Sequence, residues 1–180
     1  MWAESILELT AASDYGAIFV YDAEDFVHRH LDHLSDEGGD DVITRAMDDG
    51  AESRRFVGHD DGFVVILPPS QYNFEAPLKV EVGEGPPPDD SADWDHVVDV
   101  PLPLPSGHLV FEASGGGPAT EAVVPANTYR ARISGRDFVA GIGEIEGHES
   151  WRVQLWPAPK GEPTLVKYWA GYDVMSPSRD

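Results

Sequence analysis

The 180-residue chain carries 33 acidic and 12 basic residues, a formal net charge of −21, and no cysteine. This charge repels phosphate backbones and anionic membrane surfaces, so we expect neither nucleic-acid nor membrane partners. The absence of cysteine excludes a disulfide framework, a thiolate metal site and a cysteine nucleophile. An apolar share of 41% is too high for a disordered chain, and the length suits one domain.

The first residues of the sequence and its hydropathy predict a cytoplasmic location. The first five residues lack the basic region and apolar run of a signal peptide, and no apolar stretch approaches the ~20 residues needed to span a bilayer. The negative charge has two interpretations. It serves solubility or adaptation to a salty cytoplasm, or it steers a basic protein or a metal cation toward the surface.

The first third of the chain mixes strand and helix patterns. Apolar runs at 6–9 and 16–21 predict two strands. Helical spacing from Ala23 predicts a short helix, and a second one is predicted at 41–47, ended by Gly50 and the two aspartates before it. The N-cap and the spaced residues of the first helix are Asp22, Phe26, Val27, His30, Leu31 and Leu34.

After Gly50 the chain is dominated by strand patterns. The Asp61-Gly62 pair between runs 55–57 and 63–67 predicts a hairpin, because glycine takes the positive φ of such turns. Between Leu78 and Val82 apolar residues alternate with Lys79 and Glu81, which predicts a strand with one buried and one solvent-exposed face. Further strands are predicted at 94–100, 108–113, 129–134, 150–156 and 165–169.

The number and spacing of these strands predict the fold class. Ten short strands with frequent turn signals are typical of a mainly β protein, an antiparallel β-sandwich with one or two short N-terminal helices. Alternate prolines in 101–105 remove ladder donors and predict a sheet edge there. We expect a single domain over 1–172 and a frayed tail over 173–180.

One segment carries a possible metal-binding motif. His28, His30, Asp32 and His33 form the pattern H-x-H-x-D-H, which resembles the metal-site motif of the metallo-β-lactamase superfamily. Imidazoles and a carboxylate can bind Zn²⁺ and lower the pKa of its bound water, as hydrolysis requires. Fewer than thirty residues precede the motif, which leaves little room for the strands that this resemblance implies. The same segment also fits the solvated face of an amphipathic helix.

Other polar and aromatic groups have both a structural and a functional interpretation. The runs 59–61 and 93–96 pair histidine with carboxylates, which suits a general base but is also typical of solvated turns. Arg130 and Arg132 on one strand face either pair with nearby acids or accept an anion. Six aromatic residues either fill the core or form a binding surface: Trp94, Phe111, Tyr129, Trp151, Trp156 and Trp169.

Five segments between Glu52 and Trp169 carry a resemblance to known proteins. They are VEVGEGPPP (80–88), WDHVVDV (94–100), PSGHL (105–109), VPANTYRAR (124–132) and WRVQLWPAP (151–159). In these segments the chain resembles a group of uncharacterised β-rich actinobacterial proteins of similar size. The resemblance concerns the fold and implies no activity, because the group has no assigned catalytic residues.

A second resemblance suggests a function. The predicted strand order and the SDYG opening at 13–16 are similar to competence protein J, an acidic inhibitor of a secreted nuclease. This resemblance implies an inhibitor, and the charge of −21 suits the capping of a basic nuclease. We therefore predict a non-enzymatic cytoplasmic binding protein without a cofactor, an inhibitor or immunity-type partner of a basic protein. The alternative is a metal-dependent hydrolase that uses His28, His30, Asp32 and His33, and the oligomeric state stays open.

Overall fold

A computed structural model describes residues 1–31, 41–140 and 146–175. The described elements are eleven strands and three α-helices, with a short 3-10 turn at Ser91–Asp93. The strands are β1 (Ser5–Ser13), β2 (Ile18–Asp22), β3 (Val57–Asp60), β4 (Phe63–Ile66), β5 (Asn73–Val82), β6 (His96–Leu104), β7 (His108–Ala113), β8 (Ala119–Val123), β9 (Asn127–Arg136), β10 (Ser150–Pro157) and β11 (Thr164–Lys167). The helices are α1 (Ala23–Arg29), α2 (Val42–Glu52) and α3 (Gly171–Met175).

The strands form two sheets that pack face to face. One sheet has six strands in the order β1-β5-β10-β9-β6-β11, and the other has five in the order β3-β4-β2-β7-β8. All strand pairs are antiparallel except β5 with β10, which run parallel. The apolar core between the sheets takes side chains from both of them. The predicted mainly β sandwich with short helices is confirmed, and the parallel pair departs from the fully antiparallel arrangement that we expected.

The five-stranded sheet is buried on both faces at its centre. Along β4, Val64 and Ile66 join the core between the sheets, whereas Phe63 and Val65 point to the other face. There they pack in a second apolar cluster with α2. Burial on both faces explains the unbroken apolar run of this strand, since a strand with one wet face would alternate with polar residues.

Helix α2 runs longer than the sequence predicted. The aspartates and Gly50 were expected to end it, but it continues to Glu52 and Gly50 lies buried within it. A Cβ on Gly58 would lie 1.8 Å from the Ala46 carbonyl oxygen, and one on Gly50 would lie 2.9 Å from the Gly58 nitrogen. The two glycines therefore allow the helix backbone to approach β3 directly, and Gly50 serves this contact instead of a helix end.

Two local predictions are confirmed. Asp22 caps α1, because its side chain accepts a hydrogen bond from the Asp25 backbone nitrogen at 3.0 Å. The β3–β4 hairpin turns at Asp61 and Gly62, and both have positive φ, as a two-residue hairpin turn requires. Helix α1 ends at Arg29, so His30 and Leu31 lie outside it, and the rest of the predicted extension, 32–34, lies outside the described residues. Of the tail predicted over 173–180, residues 173–175 belong to α3, and 176–180 lie outside the described residues.

Other features of the sheets were only partly predicted. Strand β8 was not predicted, and it forms an exposed edge beside β7. Glu81 was expected on a wet face but is buried beside Gln154, whose side-chain nitrogen donates to its carboxylate at 2.9 Å. The proline-rich run over 101–104 continues β6 where β11 no longer pairs with it, which confirms the predicted edge. Among the described helices, none is long and apolar enough to cross a membrane.

The C-terminal helix is held by an aromatic cluster around His96. Tyr172 of α3 is buried and stacks on Phe56 with ring centroids 3.7 Å apart. The His96 side chain is 1% exposed; its Nε2 lies 2.5 Å from the Arg55 carbonyl oxygen, and its Nδ1 accepts from the Trp169 backbone nitrogen at 3.3 Å. These contacts require a neutral imidazole with its hydrogen on Nε2. His96 begins β6, within the strand predicted at 94–100, and its burial shows that the interpretation of the 93–96 run as a solvated turn is wrong for this residue.

The contact between α2 and β3 predicts the effect of adding one methyl group. We expect Gly58→Ala to destabilise the protein by roughly 3 kcal/mol or more, because the new Cβ meets a backbone carbonyl that cannot move without shifting the helix. Gly85→Ala is the matched control, since nothing lies within 4 Å of its added Cβ, and it should change stability by less than about 1 kcal/mol. Urea unfolding measures both, and equal stabilities would contradict the close contact.

Burial of His96 predicts a pH dependence of stability. Burial lowers the pKa of His96, and the hydrogen bond to Arg55 opposes this only in part. As the pH falls, His96 is protonated in the unfolded state before it is protonated in the folded state. The stability that neutral His96 contributes is therefore complete above about pH 6.5, and it is lost as the pH falls from there to the folded-state pKa. Between about pH 7 and 5 the free energy of unfolding should fall more steeply for the wild type than for His96→Gln, by up to about 1.4 kcal/mol per pH unit. Parallel curves would refute this role.

Candidate functional site

The candidate site is a cleft on the outer face of the five-stranded sheet. Helix α2 packs over β3 and β4, whereas the outer faces of β2, β7 and β8 next to α1 are left concave. The cleft has a volume of about 450 Å³, which is within the range of small-ligand sites. We call it the acidic aromatic cleft and define it by Phe19, Tyr21, Phe26, Phe63, Glu112 and Glu121.

The strand register brings the floor of the cleft together. Phe19 lies opposite Glu112, and Tyr21 lies opposite Val110, across the β2–β7 pair. Across the next pair, Val110 lies opposite Glu121. Since alternate residues of a strand share one face, these side chains form a continuous patch that changes from aromatic to acidic toward the β8 edge.

Four aromatic rings form the apolar wall. Phe63 from β4 is at their centre, with its ring 5.3 Å from Phe19, 5.4 Å from Tyr21 and 5.4 Å from Phe26. The Phe26 ring, which α1 contributes, also lies 4.7 Å from Tyr21. Contacts at these distances add to the stability of apolar burial and hold the rings in place.

The charged groups of the described lining are both carboxylates. The Tyr21 hydroxyl donates to Glu112 at 2.5 Å. Burial raises the pKa of Tyr21, and the hydrogen bond to Glu112 and the negative charges of Glu112 and Glu121 raise it further. Glu121 is mostly exposed and its carboxylate lies 3.0 Å from His108 Nε2, just outside the lining. The cleft therefore combines aromatic faces with a negative potential.

This combination is suited to a cation on an apolar stem. An ammonium or guanidinium group is attracted to aromatic faces and forms charge-assisted hydrogen bonds with carboxylates. The methylene stem of lysine or arginine packs on apolar surface while the charged end stays near water. An anion would meet two carboxylates at the same place.

The predicted metal segment is only partly described. His28 is exposed on α1, and His30 Nε2 lies 3.2 Å from the Asp61 carbonyl oxygen at the hairpin turn. Asp32 and His33 lie outside the described residues. The described part of the chain contains no group of three or more His, Asp or Glu side chains placed to hold a metal ion. The four-residue metal site stays a prediction.

The other residues singled out from the sequence have structural contacts. His59 contacts the Asp49 carboxylate, and His96 contacts the Arg55 carbonyl oxygen. Arg132 forms two hydrogen bonds with Asp99, at 2.8 and 3.0 Å, which supports the internal pairing over an open anion patch. Five of the six aromatic residues are buried: Trp94, Phe111, Tyr129, Trp151 and Trp156. Phe111, Tyr129 and Trp151 belong to the core between the sheets, whereas Trp94 and Trp156 contact arginine side chains.

Sequence reasoning did not find the acidic aromatic cleft. Phe19 and Tyr21 were assigned to a buried strand, and Glu112 was the single acid within the strand predicted at 108–113. That acid was the available signal, because a carboxylate among apolar strand residues indicates a face that is not fully covered. Which strands lie beside it depends on pairings between residues about ninety positions apart, as in the contact between Tyr21 and Glu112.

Comparison with known proteins gives a fold relative and no family. No family model matches the chain, and no curated protein matches it. A solved structure described as crocagin biosynthetic gene J is similar, with a TM-score of 0.50 and 15% sequence identity over 86% of this chain and 98% of that chain. At this identity the similarity concerns the fold alone. The resemblances to the actinobacterial group and to competence protein J are not shown by these comparisons.

Metal content tests the H-x-H-x-D-H segment directly. We expect protein purified without a histidine tag to be free of metal by mass spectrometry, since His30 already contacts the Asp61 carbonyl and its side chain is 11% exposed. Stoichiometric zinc or iron that is lost in both His28→Ala and His30→Ala would instead establish the metal site. That result would favour the hydrolase hypothesis.

Proposed function

We propose that this protein is a non-enzymatic binding protein, and that a lysine or arginine side chain of a basic protein partner occupies the acidic aromatic cleft. Inhibitors and immunity-type partners of basic proteins belong to this class of function. A cytoplasmic location is part of the proposal, and the absence of cysteine is consistent with it. The observation that carries the proposal is the lining of the cleft, which pairs four aromatic rings with two carboxylates.

The energetics favour a long cationic side chain. An ammonium or guanidinium group over an aromatic ring contributes about 0.5–2 kcal/mol, with the larger values where water is excluded. The Glu112 and Glu121 carboxylates add charge-assisted hydrogen bonds. A volume of about 450 Å³ accommodates a whole side chain together with part of its backbone.

The arrangement of charge over the rest of the surface supports the same partner. All eight arginines that the structure describes form ion pairs with carboxylates: Arg29, Arg45, Arg54, Arg55, Arg130, Arg132, Arg136 and Arg152. Because the chain has 33 acids, most of the negative charge stays uncompensated. Such a field accelerates the encounter with a basic protein, and the cleft then supplies a specific contact.

Peptides that differ in one residue test this proposal. We would titrate isotope-labelled protein with short glycine-rich peptides whose central residue is Lys, Arg, Gln or Glu, and follow the resonances of the cleft residues. We expect saturable binding of the Lys and Arg peptides that weakens with salt, and none of the Gln or Glu peptides. Equal binding of the Gln peptide would rule out the cation as the recognised group.

Matched variants separate the cleft from net charge. The Glu112→Gln/Glu121→Gln double variant should weaken the binding of the Lys peptide at least tenfold. Glu75→Gln/Glu84→Gln removes the same charge from exposed positions outside the cleft and should leave binding within about twofold. If both double variants weaken binding equally, the negative charge acts only through its long-range field and the cleft is not the site.

A further inference from the structure

A second cleft lies on the outer face of the six-stranded sheet, on the opposite side of the sandwich. It has a volume of about 570 Å³ and lies between strands β1, β5, β9 and β10 and the segment 90–94. We call it the charged cleft and define it by Lys79, Trp94, Arg136 and Arg152, with Glu8, Asp90 and Asp93 also in its lining. Its chemistry differs from that of the acidic aromatic cleft, because three cations line it together with three carboxylates.

The register places the three cations beside one another. Lys79 lies directly opposite Arg152 across the β5–β10 pair. Arg136 lies opposite Ser150, two residues before Arg152 on the same face. Like charges at neighbouring cross-strand positions are destabilising, and Arg152 is only 8% exposed, so little water screens its charge. Asp90 offsets part of this repulsion, and a further anion beside Lys79 and Arg136 would reduce the rest.

The carboxylates of the protein satisfy this cluster only in part. Asp90 accepts from the two terminal nitrogens of Arg152 at 2.6 and 2.7 Å. The Arg152 Nε and the hydroxyl of Ser134, which lies directly opposite it on β9, are buried without a hydrogen-bond partner among the described residues. Buried donors are nearly always paired, so the Arg152 Nε, which belongs to a lining residue of the cleft, indicates a missing acceptor.

The two remaining cations have weaker carboxylate contacts. Lys79 Nζ lies 3.3 Å from Glu81, and Arg136 Nε lies 3.8 Å from Asp137. Their side chains are 43% and 54% exposed, respectively, so both can reach a ligand in the cleft. Exposed pairs at such distances contribute little to stability and are readily exchanged for a ligand group.

Trp94 gives the cleft an apolar wall. The guanidinium carbons of Arg152 and Arg136 lie 4.4 and 5.1 Å from its ring centroid, which holds the indole beside both cations. Leu9 and Pro77 add further apolar surface to the lining. Glu8 and Asp93 repel a ligand with several negative charges. The lining as a whole therefore selects one anionic group attached to an apolar body.

We propose that the charged cleft binds a small organic monoanion, a carboxylate on an apolar body about the size of an aromatic ring. Its carboxylate accepts hydrogen bonds from Lys79 and Arg136, whose contacts with protein carboxylates are longer than those between Arg152 and Asp90. Its apolar body packs against Trp94. The site is separate from the proposed partner site, since the two clefts lie on different sheets and share no lining residue.

Calorimetric titrations with matched small molecules test this site. The probes are phenylacetate, benzyl alcohol, benzylamine and phenyl phosphate, which share a benzene ring and differ in charge. We expect saturable binding of phenylacetate, at least tenfold weaker binding of the alcohol and the amine, and weaker binding of the doubly charged phosphate. If benzyl alcohol or benzylamine binds as tightly as phenylacetate, or if no probe shows saturable binding, the proposal is wrong. Phenyl phosphate that binds more tightly than phenylacetate would overturn the preference for a carboxylate.

Variants at exposed positions avoid a loss of folding. Lys79→Gln and Arg136→Gln should each weaken phenylacetate binding at least tenfold, while circular dichroism shows an intact fold. Arg45→Gln is the matched control, because it removes the same charge from a side chain of similar exposure, 40%. Arg45 lies in α2, outside the cleft lining, so this substitution should leave binding unchanged. Equal effects of the three substitutions would show that only net charge matters. Glu112→Gln/Glu121→Gln should leave phenylacetate binding intact, which keeps this test independent of the partner site.

Discussion

Strand β4 must be covered on both faces, and the rest of the architecture follows from this requirement. Ile18, Val20, Val64 and Ile66 face the six-stranded sheet, whereas Phe63 on the other face needs a second cover. Full burial of one such side chain contributes about 1.5–3 kcal/mol, so an uncovered face would lose a large part of the stability of the domain. The six-stranded sheet provides one cover, and α2, in direct backbone contact at Gly58, provides the other.

The second cover is incomplete, and the acidic aromatic cleft lies where it stops. Helix α2 packs on β3 and β4, whereas α1 contacts β2 and β7 and contributes Phe26. Ala119 and Glu121 of β8 line the open side of the cleft, beyond the main contacts of the described helices. At those strands the sequence changes from aromatic residues to Glu112 and Glu121. The partial covering of the outer face of the five-stranded sheet thus leaves one aromatic and acidic surface open. The proposed function depends on this surface.

Charge is distributed unevenly between the two sides of the sandwich. On the six-stranded sheet Lys79, Arg136 and Arg152 lie close together beneath Trp94, and Asp90 satisfies only part of their hydrogen-bonding capacity. On the five-stranded sheet the charged groups in the described lining of the cleft are both carboxylates. A net charge of −21 describes the long-range field, but local recognition depends on which side chains a given face brings together. The two proposals therefore assign ligands of opposite charge to the two faces.

A mainly β fold with short helices could be predicted from three local signals: alternating apolar residues, the Asp61-Gly62 turn and the Asp22 cap. Each of these signals acts between residues that are close in the chain. The extent of α2, the burial of His96 and Glu81, and both clefts were not predictable in this way. Gly50 ends a helix in isolation but packs on Gly58 in the fold, and Glu81 is solvated on a lone strand but pairs with Gln154 across a parallel ladder. Sequence alone thus determined the local elements. The tertiary structure decided which distant residues share a face, because strand register and packing depend on the whole chain at once.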